Sequence, residues 1–399
     1  MPQVPILRIP FSDDDQQELL DGWSKVLQNG YLTLGNYTSQ FEEMFQEFTG
    51  AKYAIAVSNG TAALEVLIRG LGLEGGSIIV PTNTFLASAL AVCHSGNSVI
   101  FADSDPETLS LDLEDVERKI APDTNAVMVV HIGGLITPAI EDLQKLCERR
   151  GLQLIEDCAH AHGSTANGVH AGLFGAGGGF SFFPTKTLTT GEGGMVITND
   201  PEVHRIGSMI RNQGKNPEMS NQISEFGHNW RLSEITAVLG VQQMNKAADI
   251  LAQRTHIAEY YDQAFQEFQG LRPIKILGGA TSSYYKYLAY LDPAYDRSEV
   301  KRIMREKYEV SLPGEVYADL CHNEPIWDNH SYCGRRKEPG VGCEKWPGCD
   351  CDTPQDGFPG AEYISKHHFC LPMYPGIDDA TLTYVVESLE RTLHQDLKV

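Results

Sequence analysis

The segment Gly179-Phe-Ser-Phe-Phe-Pro-Thr-Lys186-Thr-Leu-Thr-Thr-Gly-Glu-Gly-Gly194 places a lysine in a tight turn between two apolar runs that are typical of strands. Small and hydroxyl-bearing residues surround Lys186, whereas a surface lysine normally has a more polar context. A lysine in a desolvated pocket can lose its proton and attack a carbonyl group as a neutral amine. Taken alone, the segment also allows a loop lysine that extends to solvent.

On both sides of this turn, between residues 53 and 200, short apolar runs alternate with segments of helical pattern. The runs predict strands at 54–57, 78–80, 99–101, 126–130, 152–155, 180–183 and 195–198. Helices are predicted between them at about 62–70, 85–95, 112–120 and 139–150. Such alternation indicates an α/β fold with a mostly parallel sheet covered on both faces, and ligands of such sheets bind beyond the carboxyl ends of the strands.

The remaining sequence predicts helices before this region and a second region of mixed pattern after it. Helices are predicted at 12–29, at 233–268 with at most one break, at 297–308 and at 378–394, and Ser39 with Glu42 fits a capping box. A strand is predicted at 284–291. We therefore predict a large domain at 1–250 and a small α+β domain at 251–399, with a loop rich in Cys, Gly and Pro at about 322–360.

Composition excludes several classes of partner. The 399 residues include 53 acidic and 31 basic side chains, and the net charge of −22 repels nucleic acids and anionic membranes. No run of about 18 apolar residues predicts a spanning helix. The amino terminus shows no signal-peptide pattern, which predicts the cytoplasm. In such a reducing compartment, most of the nine cysteines are expected to be free thiols.

A second segment, Leu152-Gln-Leu-Ile-Glu-Asp157-Cys-Ala-His160-Ala-His162-Gly163, ends a buried strand in an acidic pair. At that place a carboxylate can pair with the protonated nitrogen of a heteroaromatic ligand. His160 and His162 also suggest a metal site, but a helical HExxH spacing and a third nearby histidine are lacking. We predict no metal here.

A third segment, Ala54-Ile-Ala-Val-Ser-Asn-Gly60-Thr61-Ala-Ala-Leu64, runs from a strand through a glycine turn into a helix. The start of a helix offers free N–H groups and the positive end of a dipole, which suit a phosphate. This pattern is common and is neither a P-loop nor a GxGxxG motif. By itself it therefore identifies no ligand.

Together the three segments describe a phosphate seat, a carboxylate for a heterocycle and a reactive lysine. The chain resembles the PLP-dependent nucleotide-sugar aminotransferases of the DegT/StrS type, which have fold type I. The resemblance runs from about residue 20 to residue 270, and four motifs carry it: Ser58-Asn-Gly-Thr-Ala-Ala-Leu, Ile155-Glu-Asp-Cys-Ala-His-Ala-His-Gly, Phe180-Ser-Phe-Phe-Pro-Thr-Lys-Thr-Leu-Thr-Thr-Gly-Glu-Gly-Gly and Gly227-His-Asn-Trp-Arg-Leu-Ser-Glu. It implies a mostly parallel seven-stranded sheet in the large domain and a smaller carboxyl-terminal α+β domain.

The resemblance also implies roles for single residues toward pyridoxal 5′-phosphate (PLP). Lys186 forms a Schiff base and moves the proton, and Asp157 pairs with the pyridine nitrogen. Arg231 is a candidate for binding the carboxylate of the amino donor, the alternative being a structural arginine tied to Glu234. The other implied cofactor contacts are with the phosphate (Gly60, Thr61 and Ser181), the face of the ring (Phe85), the phenolic oxygen (His160) and the phosphate of a neighbouring subunit (Asn229). The last contact implies a homodimer with shared sites.

The predicted reaction moves an amino group from glutamate or glutamine to a nucleotide-linked keto-sugar. Two departures leave the acceptor open: His160 stands where the family usually has Gln, and His131-Ile-Gly-Gly-Leu replaces the more usual His-x-x-Gly-Gln. Both are similar to the 3-amino-5-hydroxybenzoate synthase branch, so such an enzyme or a dehydratase is an alternative. A catalytically silent PLP-binding regulator or scaffold is another. A zinc module is the third, with ligands from the late Cys and His residues, namely Cys333, Cys343, Cys349, Cys351, His322 and His330.

Overall fold

A seven-stranded sheet forms the centre of the computed structural model, which describes residues 3–316, 318, 320–328 and 357–397. Its strands lie in the order β1-β7-β6-β5-β4-β2-β3. Strand β7 runs antiparallel to both of its neighbours, and the other adjacent pairs are parallel. The prediction of a mostly parallel α/β sheet is confirmed. The bounds are β1 (Tyr53–Val57), β2 (Ser77–Pro81), β3 (Ser98–Ala102), β4 (Thr124–Val130), β5 (Gln153–Asp157), β6 (Gly177–Ser181) and β7 (Gly194–Thr198).

This strand order brings distant parts of the chain to one edge of the sheet. In the register, Asp157 of β5 lies opposite Gly179 of β6, and Ser181 at the end of β6 lies opposite Gly194. Gly194 also lies opposite Val57, the last residue of β1. The three motifs identified in the sequence therefore meet where ligands of parallel sheets bind.

Helices cover both faces of the sheet, and each face has an apolar core. One core packs against α2 and α8, and the other against α3, α4 and α7. Side chains cap several of these helices, such as Asn59 before α3 and Ser233 before α8. The bounds are α1 (Asp13–Asn29), α2 (Asn36–Thr49), α3 (Gly60–Gly70), α4 (Ala87–His94), α5 (Leu113–Lys119), α6 (Ile140–Arg150), α7 (Pro201–Arg211) and α8 (Glu234–Ala264).

The start of α2 differs from the prediction. The helix begins three residues before Ser39, and Gly35, its N-cap, makes no side-chain capping bond. The carboxylate of Glu234 instead accepts N–H bonds from Gly35 at 2.9 Å and Thr38 at 2.9 Å. Glu42 accepts the Ala56 N–H at 2.8 Å. The predicted capping box is therefore wrong, because the carboxylate of Glu234, from a distant helix, accepts the free N–H groups at the start of α2.

A smaller α+β domain follows, and its three-stranded antiparallel sheet has the order β8-β9-β10. Helix α8 reaches it as one unbroken helix, with Ile257 and Tyr261 in the small-domain core. Val4 packs in the same core. The exact division at residue 250 stays a prediction. The bounds are β8 (Leu271–Pro273), β9 (Tyr287–Leu291), β10 (His368–Leu371), α9 (Arg297–Tyr308), α10 (Pro359–His367) and α11 (Asp379–Arg391), which continues into a π-helical turn (Thr392–Asp396).

Short elements complete the described chain. Two-residue strands pair Ser104–Asp105 with Ser110–Leu111, Lys215–Asn216 with Gln222–Ile223, and Thr165–Ala166 with Val169–His170 and Ala280–Thr281. 3₁₀ turns lie at Ile132–Gly134, Pro217–Met219, Cys321–Asn323 and Pro325–Asp328. Among the described residues, no helix is both long and apolar enough to cross a bilayer. Most of the predicted loop 322–360, including Cys333, Cys343, Cys349 and Cys351, lies outside them.

Candidate active site

Asp157 ends β5, and its carboxylate is held in one orientation. It is 6% exposed. Its Oδ2 accepts a hydrogen bond from Ser88 Oγ at 2.7 Å, and its Oδ1 accepts one from the Ala159 N–H at 3.0 Å. Two donors from different elements thus fix an acidic group at the edge of the sheet. Such a group can hold a protonated ring nitrogen in place.

Lys186 lies in the turn after β6, half-buried, with its backbone N–H bonded to the carbonyl of Phe183 at 2.9 Å. Its Nζ lies 5.0 Å from the centre of the Tyr285 ring. Burial is the main cause that lowers the pKa of Lys186 to about 8, with Asp157 opposing the shift and Lys286 adding to it. At pH 7 about a tenth of such lysines are neutral, against less than a thousandth at an ordinary lysine pKa. The amine is therefore a competent nucleophile.

Tyr285 joins this site from the small domain. Its ring stacks on His160 with centres 3.9 Å apart at 15°. The Nδ1 of His160 faces the Gly133 N–H at 3.3 Å and accepts its hydrogen bond, and burial, with neighbouring cations, holds the pKa of His160 well below its usual range. The ring is therefore neutral with its proton on Nε2, so Nε2 is a hydrogen-bond donor. Sequence reasoning missed Tyr285, for which the only signal was an aromatic pair at the start of the strand predicted at 284–291.

The predicted phosphate seat lies at the start of α3. The Asn59 side chain accepts the Ala62 N–H at 2.8 Å, whereas the N–H groups of Gly60 and Thr61 belong to a first turn that has no preceding helical carbonyls. Ser181 packs directly against Gly60: a Cβ added at Gly60 would lie 2.7 Å from the Cβ of Ser181. This cradle of N–H groups and a hydroxyl fits the phosphate of PLP.

Three other predicted site residues lie on other segments, and one of them, Arg231, forms a backbone bridge with Val57 at the end of β1. Phe85 is 71% exposed beside the start of α4. Asn229 is exposed and forms a backbone bridge with Asn212. Arg231 donates to the Asn212 side chain at 3.0 Å, so the alternative of an Arg231–Glu234 pair is wrong. The proposed cofactor and substrate roles of these residues stay predictions.

Glu156, the other member of the acidic pair, points into the core. The carboxylate accepts the N–H groups of Gly172 at 2.6 Å and Phe174 at 2.7 Å and pairs with His131 Nε2 at 2.9 Å. Potential ligand atoms of Glu156, His131 and Cys158 lie within 4.8 Å of one another. The carboxylate is already engaged by backbone donors and His131, so we assign this group a structural role. It anchors the loop that precedes β6.

Comparisons with known proteins agree with this arrangement. The sequence model of the DegT/DnrJ/EryC1/StrS aminotransferase family matches residues 13–339 of this chain. Among relatives, GDP-perosamine synthase of Escherichia coli O157:H7 is 32% identical over 89% of this chain and 90% of its own. GDP-perosamine synthase of Vibrio cholerae is 35% identical over 87% and 95%.

Solved structures place the fold in the same group. DesV of S. venezuelae is 26% identical, with a TM-score of 0.85 over 98% of both chains. NtdA of Bacillus subtilis, solved with bound PMP, has a TM-score of 0.84 over 99% of this chain and 86% of its own. At 23% identity it supports the fold alone. The chain belongs to the DegT/DnrJ/EryC1/StrS family of PLP-dependent aminotransferases, as the sequence predicted.

Proposed function

We propose that this protein is a transaminase that moves the amino group of glutamate or glutamine to the keto group of a nucleotide-linked sugar, for amino-sugar biosynthesis. One observation carries the proposal: a lysine of lowered pKa lies at the sheet edge that also holds an anchored carboxylate, Asp157, and the start of α3 packed against Ser181. The relatives named GDP-perosamine synthase support a sugar nucleotide as acceptor.

PLP, when bound, supplies an electron sink that allows an amino acid to lose its α-proton. Gly60, Thr61 and Ser181 would hold its phosphate, and Asp157 its ring nitrogen. Ser88 keeps the Asp157 carboxylate aligned. These contacts set where the reacting carbon lies.

Lys186 would bind PLP through the neutral form of Nζ. When Nζ is free, it can accept a proton from the α-carbon of a bound donor and donate one back during the reaction. A pKa of about 8 suits both steps, because the group can accept and release a proton near neutral pH. His160, whose ring stacks on Tyr285, would donate from Nε2 to the phenolic oxygen of the cofactor.

We further infer a homodimer whose sites are shared. Exposed apolar side chains lie on the segments near Asn229 and on the loop before α4. Phe226 is 87% exposed, and Ile223 and Phe85 are both 71% exposed. Such side chains favour burial against a second copy. We place the protein in the cytoplasm, since the described cysteines are free thiols, which is typical of a reducing compartment.

An aromatising reaction like that of 3-amino-5-hydroxybenzoate synthase is the second candidate. The observation that favours it is His160 in place of Gln. The presence of Lys186 speaks against the dehydratase branches, which replace this lysine with histidine. Analysis of the products formed with a keto-sugar and ¹⁵N-labelled glutamate separates the two reactions, because only transamination retains the sugar and adds labelled nitrogen to it.

Borohydride reduction followed by peptide mapping tests the proposal. We expect a pyridoxyl adduct on Lys186 in the wild-type protein and loss of amination in Lys186→Ala. Lys145→Ala is the matched control, because Lys145 is exposed on α6. An adduct on another lysine, or amination by Lys186→Ala at normal rates, would show that the mechanism is wrong.

A further inference from the structure

A cavity lies beside Lys186, on the side formed by the amino-terminal segment. Its volume is about 40 Å³, so it has room for a small polar group such as a carboxylate rather than for a whole substrate. Three cationic side chains line it, from Arg8, Lys186 and Arg254. The described lining contains no Asp or Glu, although the whole chain has a net charge of −22. The cavity is thus a local cationic site on an acidic protein.

Two buried donors in the lining lack partners among the described residues. Arg254 is 2% exposed, and its Nη1 donates to the carbonyls of Tyr284 at 2.8 Å, Met373 at 3.4 Å and Tyr285 at 3.5 Å, whereas its Nε has no acceptor among the described residues. Thr187 is 4% exposed, and its Oγ1 also has no partner. Leaving a buried donor unsatisfied is costly, so such donors point to a ligand that accepts hydrogen bonds.

The fold holds Arg8 over this cavity. Val4 pairs with the small domain, accepting the Ser311 N–H at 2.9 Å and donating its own N–H to Glu309 at 3.0 Å. Nine residues further on, Asp13 begins α1, which packs against α8. The backbone of the segment that carries Arg8 is thus tied at both ends, while the exposed Arg8 side chain lines the cavity.

We propose that this cavity is a subsite for a carboxylate of the amino donor. The guanidinium groups of Arg8 and Arg254 suit a carboxylate because their planar N–H donors match its two oxygens. Under the proposed function, the amine of the donor would act at the same place as Nζ of Lys186, so a carboxylate on the same small molecule would lie near this lysine. The assignment to the donor rests on the proposed function, whereas carboxylate binding by itself does not.

Direct binding of glutarate measured by calorimetry tests the subsite, because glutarate has two carboxylates and no amine that could react. The neutral diamide glutaramide is the matched probe. With PLP-loaded protein, we expect glutarate to bind and glutaramide to bind at least tenfold more weakly. Arg8→Gln is expected to weaken glutarate binding at least tenfold, and Thr187→Val about threefold or more, as for lost hydrogen bonds to a charged group.

Arg149→Gln removes the same charge from an exposed position on α6 and serves as the control, with an expected change below twofold. Absence of glutarate binding, equal binding of glutaramide, or equal losses in Arg8→Gln and Arg149→Gln would each overturn the subsite. The borohydride adduct at Lys186 is measured on the same samples. If the adduct forms while Arg8→Gln binds glutarate normally, the subsite fails and the transaminase proposal stands; if no adduct forms, the transaminase proposal fails.

Discussion

Replacing Gly60 with alanine should weaken PLP binding without unfolding the protein. The added Cβ would lie 2.7 Å from the Cβ of Ser181 and 3.2 Å from its Cα, whereas packed carbon atoms are about 3.5–4.0 Å apart. Either the start of α3 or the end of β6 must therefore move by several tenths of an ångström. Because Gly60 and Thr61 lie at the start of α3 and Ser181 at the end of β6, this movement increases the distance between the groups that are predicted to bind the phosphate.

The size of the effect follows from two opposing terms. Overpacking a well-packed site costs about 1–3 kcal/mol, while alanine in place of glycine stabilises a helix by up to about 1 kcal/mol. The fold should thus lose about 0–3 kcal/mol of stability. The strain falls on the phosphate contacts, and a loss of about 1.4–2.8 kcal/mol there weakens PLP binding about 10- to 100-fold.

Titration of PLP-free protein with PLP, followed by visible absorbance, measures this loss. Gly314→Ala is the matched control, because a Cβ at Gly314 meets no atom within 4 Å. We expect the control to bind PLP like the wild type. If Gly60→Ala also binds PLP with wild-type affinity and keeps its melting temperature, the phosphate does not lie against Gly60 and Ser181.

Three further predictions concern charge and burial. In PLP-free protein, Lys286→Met should raise the pKa of Lys186 from about 8, because the positive charge of Lys286 helps to lower that pKa. The midpoint of the pH dependence of Schiff-base formation should then move to higher pH. An unmoved midpoint would contradict this prediction. His160→Gln should change the affinity for PLP by less than about threefold. It should also leave the pH–rate profile from pH 6 to 8 unaltered, because the pKa of His160 is held well below that range. A shifted profile would show that the histidine titrates between pH 6 and 8. Glu156→Gln should cost about 2–4 kcal/mol of folding stability in denaturant titrations, because a buried acceptor becomes a donor facing N–H groups, whereas exposed Glu148→Gln should change stability by less than about 0.5 kcal/mol.

The sequence predicted the sheet well because its strands are buried on both faces and appear as continuous apolar runs. Each of the seven runs became a strand, with ends differing by a few residues: the 180–183 run, for example, became Gly177–Ser181. The start of α2 was mispredicted for a physical reason. Its cap comes from Glu234, almost 200 residues away, and no local pattern reveals such a contact.

The site shows the same division between local and distant contacts. Asp157 and Lys186 could be predicted because each lies in a short motif whose chemistry depends on its immediate neighbours. Tyr285 and Arg254 could not, because each enters the site from a distant segment and its local sequence resembles ordinary core packing. The residues hidden from sequence reasoning are thus those that the tertiary fold brings to Lys186.

Anion binding beside Lys186 and the reactivity of its amine are coupled. Burial, together with the positive charge of Lys286, lowers the pKa of Lys186, which increases the neutral fraction that can attack a carbonyl. A carboxylate in the cavity acts in the opposite direction and favours the protonated form. By linkage, the anion must bind more weakly as pH rises through the titration of Lys186, since its cationic partner is lost. Binding of the donor's carboxylate would therefore raise the pKa of Lys186, which makes this amine a stronger base at the stage when it accepts the proton of the α-carbon.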